Sequence, residues 1–243
     1  MMCMKPTAVF FDLDGTLLPM DQDAFVKRYF GLLAKKIAPL GYAPDQLVKA
    51  VWGGTAAMIA NDGSCTNEEA FWRFFVGIYG EAAVQDKPVF DAFYLNEFNQ
   101  AQAACGFAPE AAPLVRALKA SGYRLVLATN PLFPAQATKN RIRWAGLEAG
   151  DFELYTTYEN SRFCKPNPAY YQEILDKLGL AAQECLMVGN DADEDMIAEK
   201  LGMRVFLLTD CLINKSGRDL SAYPQGGFAQ LSAYIEGLEQ GAE

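Results

Sequence analysis

The chain has 243 residues, 51% of them hydrophobic, with 21 lysines and arginines against 30 acids and a formal net charge of −9. It is long enough to bury a core as one large domain or two modest ones, and it shows no arginine run, lysine block or basic patch, which removes the electrostatic footprint of a nucleic-acid binder. Histidine is absent; Ser-His-Asp chemistry, Cys-His chemistry and His-ligated zinc are therefore excluded, and proton transfer falls to carboxylates, lysine, tyrosine or cysteine.

The opening Met-Met-Cys-Met-Lys-Pro does not read as a signal peptide, and no apolar run approaches membrane-spanning length. A soluble cytoplasmic protein with no membrane partner is expected. The cysteines (Cys3, Cys65, Cys105, Cys164, Cys185, Cys211) form no Cys-x-x-Cys pair and are expected mostly as small core fillers with reduced thiols.

The first strand is read at residues 9–11, a short apolar run that leads into Asp12-Leu13-Asp14-Gly15-Thr16. Side chains alternate along a strand, so Asp12 and Asp14 are expected on one side of its carboxyl end, with Leu13 turned into the packed layer. Gly15 then permits a sharp bend. Adjacent acids repel, and a divalent metal such as Mg²⁺, which prefers carboxylate and carbonyl oxygens, offsets them. The plainer alternative is a polar turn that only caps the next helix.

From Asp21 the pattern turns helical, with Phe25, Tyr29, Leu33 and Ile37 at every fourth position, Asp21 or Asp23 as the cap and Gly41 as the stop. A second helix is read over 44–59, weakened by Gly53-Gly54, and a loop over 61–64. Thr66-Asn67-Glu68-Glu69 fits a capping box for a third helix bearing Phe71, Phe74, Phe75 and Ile78. A fourth helix begins near Pro88 and carries Phe90, Phe93, Tyr94 and Phe98. These aromatic stripes read as the core of a bundle rather than a ligand box.

From Pro109 helices and strands alternate: a helix over 110–121, a strand over 123–128 ending in Thr129-Asn130, a helix over 134–144 and a strand over 152–156. A loop with Lys165 follows, then a helix opened by Asn167-Pro168, a strand over 185–188 ending in Gly189-Asn190-Asp191, a helix over 193–201, a strand over 203–208 and a last amphipathic helix over 228–238. Such alternation predicts an α/β fold with a doubly wound, parallel, Rossmann-like sheet joined by the first strand. In these sheets ligands bind beyond the strands' carboxyl ends, where Asp12, Asp14, Thr129, Asn130, Lys165, Asp191 and Asp195 are expected to gather.

In this order, Asp12-Leu13-Asp14-Gly15-Thr16, Thr129 after a strand, Lys165 in Lys-Pro-Asn-Pro and Gly189-Asn190-Asp191-Ala192-Asp193-Glu194-Asp195 resemble the four motifs of the haloacid dehalogenase-like (HAD) hydrolase superfamily. The resemblance spans nearly the whole chain and points to the branch, similar to phosphoglycolate phosphatases, with an α-helical cap domain inserted after the first core strand. It implies a catalytic core of residues 1–18 and 108–243 and a cap of residues 19–107. It also implies a Mg²⁺-dependent phosphatase for a small phosphorylated metabolite, with Asp12 as the nucleophile that forms an aspartyl-phosphate and Asp14 as general acid and then base. An aspartate with an ordinary pKa of about 3.9 must have it raised to donate a proton near neutrality. Thr129, Asn130 and backbone N–H groups are implied as phosphoryl holders, and Lys165 as the bridge between phosphoryl group and Asp12.

The implied Mg²⁺ ligands are Asp12, the Asp14 carbonyl and the acids near Asp191. Many relatives have aspartate directly after the motif's glycine, whereas this chain has Asn190 there and Asp191 next. Either Asp191 reaches the metal, or Asn190 lends its amide oxygen; Asp191 is preferred, with Asp195 behind it orienting Lys165. Substrate choice is expected in the cap, in the 61–64 loop and in cations such as Lys49 or Arg73. A phosphoglucomutase-like transferase shares the same motifs, and a non-catalytic binding protein on the same fold is the reading from another class. A dehalogenase needs neither Asp14 nor Thr16, and a phosphonate hydrolase needs a cap lysine such as Lys27, Lys35, Lys36 or Lys49. Oligomeric state is left open.

Overall fold

The computed structural model describes residues 5–240. Met1–Met4, with Cys3 and most of the opening stretch, lie outside the described residues. Among the described residues no helix is long and apolar enough to cross a membrane.

The first strand, β1 (Ala8–Phe11), lies at the centre of a parallel sheet with β2 (Arg124–Leu127), β3 (Leu154–Tyr155), β4 (Cys185–Gly189), β5 (Arg204–Leu208) and β6 (Gln225–Gly226). The strand order is β3-β2-β1-β4-β5-β6 and every pairing is parallel. The order reverses at β1, with β2 on one side and β4 on the other, and this switch point opens the crevice in which such sheets bind ligands. The two-residue β6 is too short to have left a periodic signal.

Alternation along the strands divides the core into two layers. Val9 and Phe11 of β1 and Leu186 and Val188 of β4 belong to one cluster, and Ala8, Phe10, Cys185 and Met187 to the other. Leu13 is fully buried, in the first cluster, as alternation predicts. The thiols divide differently from expectation: Cys164 and Cys185 are buried, whereas Cys65, Cys105 and Cys211 are only partly so, and all five are free. Cys65 and Cys211 sit in loops, and Cys105, at the segment's return to the sheet, packs against the edge of the first cluster.

Between β1 and β2 the chain makes the expected helical segment: α1 (Gln22–Ile37), α2 (Pro44–Ile59), α3 (Asn67–Tyr79) and α4 (Lys87–Leu95). The Asp21 carboxylate accepts from Ala24 N–H at 2.9 Å and starts α1, and the Thr66–Glu69 capping box starts α3. The segment's two connections run side by side, with Gly106 N–H donating to Pro19 O at 2.7 Å. Its interior residues, including Phe75, Phe93 and Phe98, belong to the same cluster as one face of the sheet. Phe98 stacks on Trp144, at 5.3 Å between ring centroids, which joins the segment to α6 (Ala135–Trp144).

Three elements differ from expectation. Gly53-Gly54 do not interrupt α2; the glycines sit where α3 presses on it, and a Cβ at Gly54 would lie 2.5 Å from the Phe71 ring. The fourth helix ends at Leu95, because Asn96 leaves helical geometry and its amide donates back to Ala92 O at 2.8 Å, so Phe98 lies in a separate 3₁₀ turn (Glu97–Ala104). The helix read over 193–201 is turns followed by a 3₁₀ segment (Met196–Leu201), and Asp195, at the junction, is held by Lys165 and by the Asp191 N–H. The remaining helices are α5 (Ala111–Ala120), α7 (Pro168–Leu178) and α8 (Phe228–Gln240).

The close α2–α3 approach generates a test. Gly54→Val drives a branched side chain into the Phe71 ring and should destabilise the fold by about 1–3 kcal/mol, as overpacking does; urea unfolding measures it, and an unchanged midpoint would show that α3 yields at no cost.

Candidate active site

The four sequence motifs converge at the carboxyl ends of β1, β2 and β4. Asp12 follows β1 directly and is held by two neighbours: Lys165 Nζ donates to Oδ1 at 2.9 Å, and the Thr16 hydroxyl lies 3.0 Å from Oδ2. Lys165 also donates to Asp195 Oδ1 at 2.6 Å. Lys165 and Asp195 are each only 1% exposed, so the ammonium is a fully buried bridge between two carboxylates. Burial opposes the lysine's charge, but Asp12 and Asp195 outweigh it and hold Lys165 protonated well above the ordinary lysine range. Burial in turn pushes the Asp195 carboxyl up, against the pull of Lys165.

The turn after β1 depends on Gly15, whose φ of +91° favours glycine and whose absent Cβ would lie 2.3 Å from Asn190 Nδ2. The Asn190 amide is thereby fixed: Oδ1 lies 2.9 Å from the Thr16 hydroxyl, and Nδ2 donates to Cys211 O at 2.7 Å. Asn190 therefore ties the β1 turn to the loop after β5. Asp191 Oδ1 accepts from the N–H groups of Asp193 and Glu194, at 2.8 and 2.9 Å, while its own N–H donates to Asp195 Oδ2.

Thr129 is buried, with its carbonyl accepting from the hydroxyls of Thr156 at 2.6 Å and Tyr170 at 2.9 Å. Asn130 donates to Glu194 Oε2 at 3.0 Å, and its Oδ1 is buried without a hydrogen-bond partner. Burial raises Glu194 to about 7, against the attraction of Lys165.

Arg141 is the residue that sequence reasoning missed. It projects from α6, is fully buried, and pairs through Nη1 with Asp14 Oδ2. Its guanidinium also lies 4.5 Å from the centre of the Phe133 ring. Burial raises Asp14 to about 6, with Arg141 pulling the other way and Asp12 adding to the rise. Asp14 Oδ1 is left buried without a partner.

Asp12, Asp14, Thr129, Asn130, Asp191 and Asp195 all line one cavity of about 380 Å³, a size typical of small-molecule sites. Its other walls come largely from the helical segment, including Phe30, Trp52, Phe71, Trp72 and Tyr94. The aromatic stripes thus serve the bundle core at Phe75, Phe93 and Phe98 and the cavity wall elsewhere, which corrects the expectation of core alone. Lys49, Arg73 and the 61–64 loop do not line the cavity. That loop is a joint instead: Asn61 binds the fully buried Asn67, and the N–H groups of Asn67 and Glu68 donate to Ser161 O and Tyr158 O. Lys27, Lys35 and Lys36 are also absent from the wall, and Lys36 pairs with Glu97.

Among the described residues, His, Cys, Asp and Glu side chains form no cluster of three set to hold a metal. The side-chain donors around the cavity floor offer oxygen, however, and five carboxyl groups (Asp12, Asp14, Asp191, Glu194, Asp195) outnumber the buried cations Lys165 and Arg141 and the exposed Lys215 at the cavity's edge. That excess of acid, with oxygen donors alone, suits a hard divalent cation.

Three comparisons bear on this site. The sequence model of the haloacid dehalogenase-like hydrolases matches residues 6–200. The phosphoglycolate phosphatase of Rhodospirillum rubrum is 31% identical over 213 residues, 84% of this chain and 80% of that one. The glyceraldehyde 3-phosphate phosphatase of Methanothermobacter thermautotrophicus is 27% identical over 88% of this chain and 93% of its own. Among solved structures, CbbY from Rhodobacter sphaeroides in complex with phosphate superposes with a TM-score of 0.59 at 18% identity, over 96% of this chain and 100% of that one. A 2-haloacid dehalogenase from Pseudomonas syringae also gives 0.59, at 21% identity over 96% and 98%. At such identities the structures establish the fold and leave the reaction to the site.

Lys165→Met would leave Asp12 and Asp195 buried without their cation and should destabilise the protein by about 3–5 kcal/mol at neutral pH without added divalent metal. Asp195, which burial already pushes up, would lose the pull of Lys165 and rise further, so the loss should be full only above that raised folded value and fade as pH falls from it toward the unfolded carboxylate range. Denaturant midpoints at several pH values test this; a loss independent of pH would assign Lys165 a packing role only.

Proposed function

The chain belongs to the haloacid dehalogenase-like hydrolases, and from that premise we propose that it is a Mg²⁺-dependent phosphatase that hydrolyses a small phosphate monoester through an aspartyl-phosphate on Asp12. The observation that carries the reading is the Asp12 carboxylate, positioned by Lys165 and Thr16 on the floor of a cavity large enough for a small ester. Both relatives are named as phosphatases.

In the first half-reaction an Asp12 oxygen attacks phosphorus, the bond to the alcohol oxygen breaks, and Asp14 gives its proton to the departing oxygen. In the second, Asp14 takes a proton from water, the water oxygen attacks phosphorus, and the P–O bond to Asp12 breaks, which releases phosphate and restores the Asp12 carboxylate and the protonated Asp14. Asp14 must be acid and then base. Burial, which raises it to about 6, serves the first role, and Arg141, which favours the charged form, serves the second.

Lys165 neutralises Asp12 as it approaches an anionic ester, and Thr129 and Asn130, which line the same cavity, would hold phosphoryl oxygens. Mg²⁺, held by Asp12, the Asp14 carbonyl and Asp191, would supply charge neutralisation at the transferring group. Asp191 suits this better than Asn190, whose amide is engaged by Thr16 and Cys211. We assign residues 19–107 as a cap over a core of residues 1–18 and 108–243, with the cap closing the cavity above Asp12.

Asp12→Asn, with a cooperative urea transition as the check on folding, should abolish Mg²⁺-dependent phosphate release from a panel of phosphomonoesters; residual turnover equal to the native chain's would refute the aspartyl-phosphate. Arg141→Met should lower kcat by about 10²-fold, the low end of acid–base contributions, on an alkyl ester and on p-nitrophenyl phosphate alike, because the base step acts on the same aspartyl-phosphate whichever ester formed it; an unchanged kcat on both would make Arg141 a scaffold residue only.

A further inference from the structure

The helical segment's side of the cavity describes the alcohol that leaves. Its wall is built from aromatic side chains (Phe30, Trp52, Phe71, Trp72, Tyr94) interspersed with aliphatic ones such as Val26, Leu33, Val51 and Ile59. Trp52 and Ile59 of α2 line this wall and are each 50% exposed. Among the described residues that line the cavity, the only lysine or arginine is Lys215, an exposed residue of the loop after β5 on the core side. Lys165 and Arg141 are already committed, the first to Asp12 and Asp195 and the second to Asp14. The remaining charged wall groups are carboxyls, with Asp91 exposed among the cavity residues and Glu194 beside the catalytic end.

A substrate whose alcohol carries a carboxylate or a second phosphate would therefore lose hydration against an apolar wall that offers no lysine or arginine on the helical segment's side, and would meet acids at Asp91 and Glu194. A neutral apolar group would instead exchange water for ring and aliphatic contacts. We propose that the enzyme's substrates are phosphate monoesters of uncharged alcohols bearing an aromatic or bulky apolar group, which sits against Trp52, Phe71 and Trp72 while the phosphoryl group meets Asp12. This rests on the phosphatase reading and departs from the anionic ester for which the Rhodospirillum rubrum relative is named. A quaternary ammonium held by the rings is disfavoured, because the wall is aliphatic between them and its carboxyls lie at the catalytic end or exposed.

The test is a comparison of kcat/KM for esters with similarly unactivated leaving groups: 2-phenylethyl phosphate, ethyl phosphate, phosphoglycolate, glyceraldehyde 3-phosphate and phosphocholine, each with Mg²⁺. The phenylethyl ester should exceed ethyl phosphate and phosphoglycolate by at least about 100-fold, since each methylene in an apolar pocket is worth about 10–200-fold. Thr55→Arg, which places a cation on the wall, should shift that ratio toward phosphoglycolate by about 10-fold or more, as an added charged hydrogen bond of about 1.5–3 kcal/mol allows. Preference of the native chain for phosphoglycolate, glyceraldehyde 3-phosphate or phosphocholine would overturn the proposal and leave the phosphatase standing. Release of phosphate from none of the esters, nor from p-nitrophenyl phosphate, would overturn both. The native chain's ranking decides the question even if the variant fails to fold.

Discussion

A lysine ammonium buried between two carboxylates is the constraint around which the rest of this molecule is arranged. Lys165 comes from the loop before α7, Asp12 from the end of β1 and Asp195 from the segment after β4, so the triad forms only when three separate parts of the sheet are in place. Taking such charges out of water costs several kcal/mol per ion, and a triad of this kind is seldom a net source of stability. Its benefit, on the proposed mechanism, is chemical. A carboxylate that is to meet an anionic ester needs positive charge beside it in place before the ester arrives, and a buried lysine between two acids stays protonated throughout the working range.

The same economy explains the dense hydrogen bonding around the triad. Asp195 uses its second oxygen on the Asp191 N–H, Thr16 links Asp12 to Asn190, and Asn190 reaches on to the loop after β5. Each buried polar group is satisfied by a neighbour that is itself held, which makes the floor of the cavity rigid. The exceptions are informative. Asp14 Oδ1 and Asn130 Oδ1 are buried without partners, and both residues face the cavity. Unsatisfied groups cost most inside a protein and are tolerated where a ligand completes them.

Much of this was legible in the sequence. The parallel alternation and the long helical insertion follow from periodicity, the four motifs were recognised through the resemblance to the family, and Asp12, Thr129, Lys165 and Asp195 lie at the carboxyl-end side of the sheet, where doubly wound folds gather their ligands. What was not legible depended on contacts distant in sequence. Arg141 lies in the basic run Arg141-Ile142-Arg143 of an amphipathic helix, a pattern that ordinarily marks a solvated face, and only its approach to Asp14 across 127 positions distinguishes it. Gly53-Gly54 read as a break because helix propensity is local, whereas their function is to admit the rings of α3. The residues after Asp191 read as a helix start because acids favour that position, but here those acids are drawn inward to Lys165 and to their own backbone.

The aromatic stripes of the helical segment show how one pattern can carry two roles. A helix in a bundle needs an apolar face, and nothing in 3.6-residue periodicity says whether that face meets another helix or a cavity. Phe75 and Phe71 are one turn apart on α3, with rings stacked 5.9 Å apart, yet Phe75 is fully buried and Phe71 lines the cavity. The boundary between core and binding wall therefore falls within a single stripe, and a substitution there changes packing and ligand contact together. Relatives that share the floor can differ in their alcohols by exchanging a few such residues, because the floor is fixed by the Lys165 triad while the wall is fixed only by the need to be apolar on its inner side. Shared motifs are thus strong grounds for a common reaction and weak grounds for a common substrate.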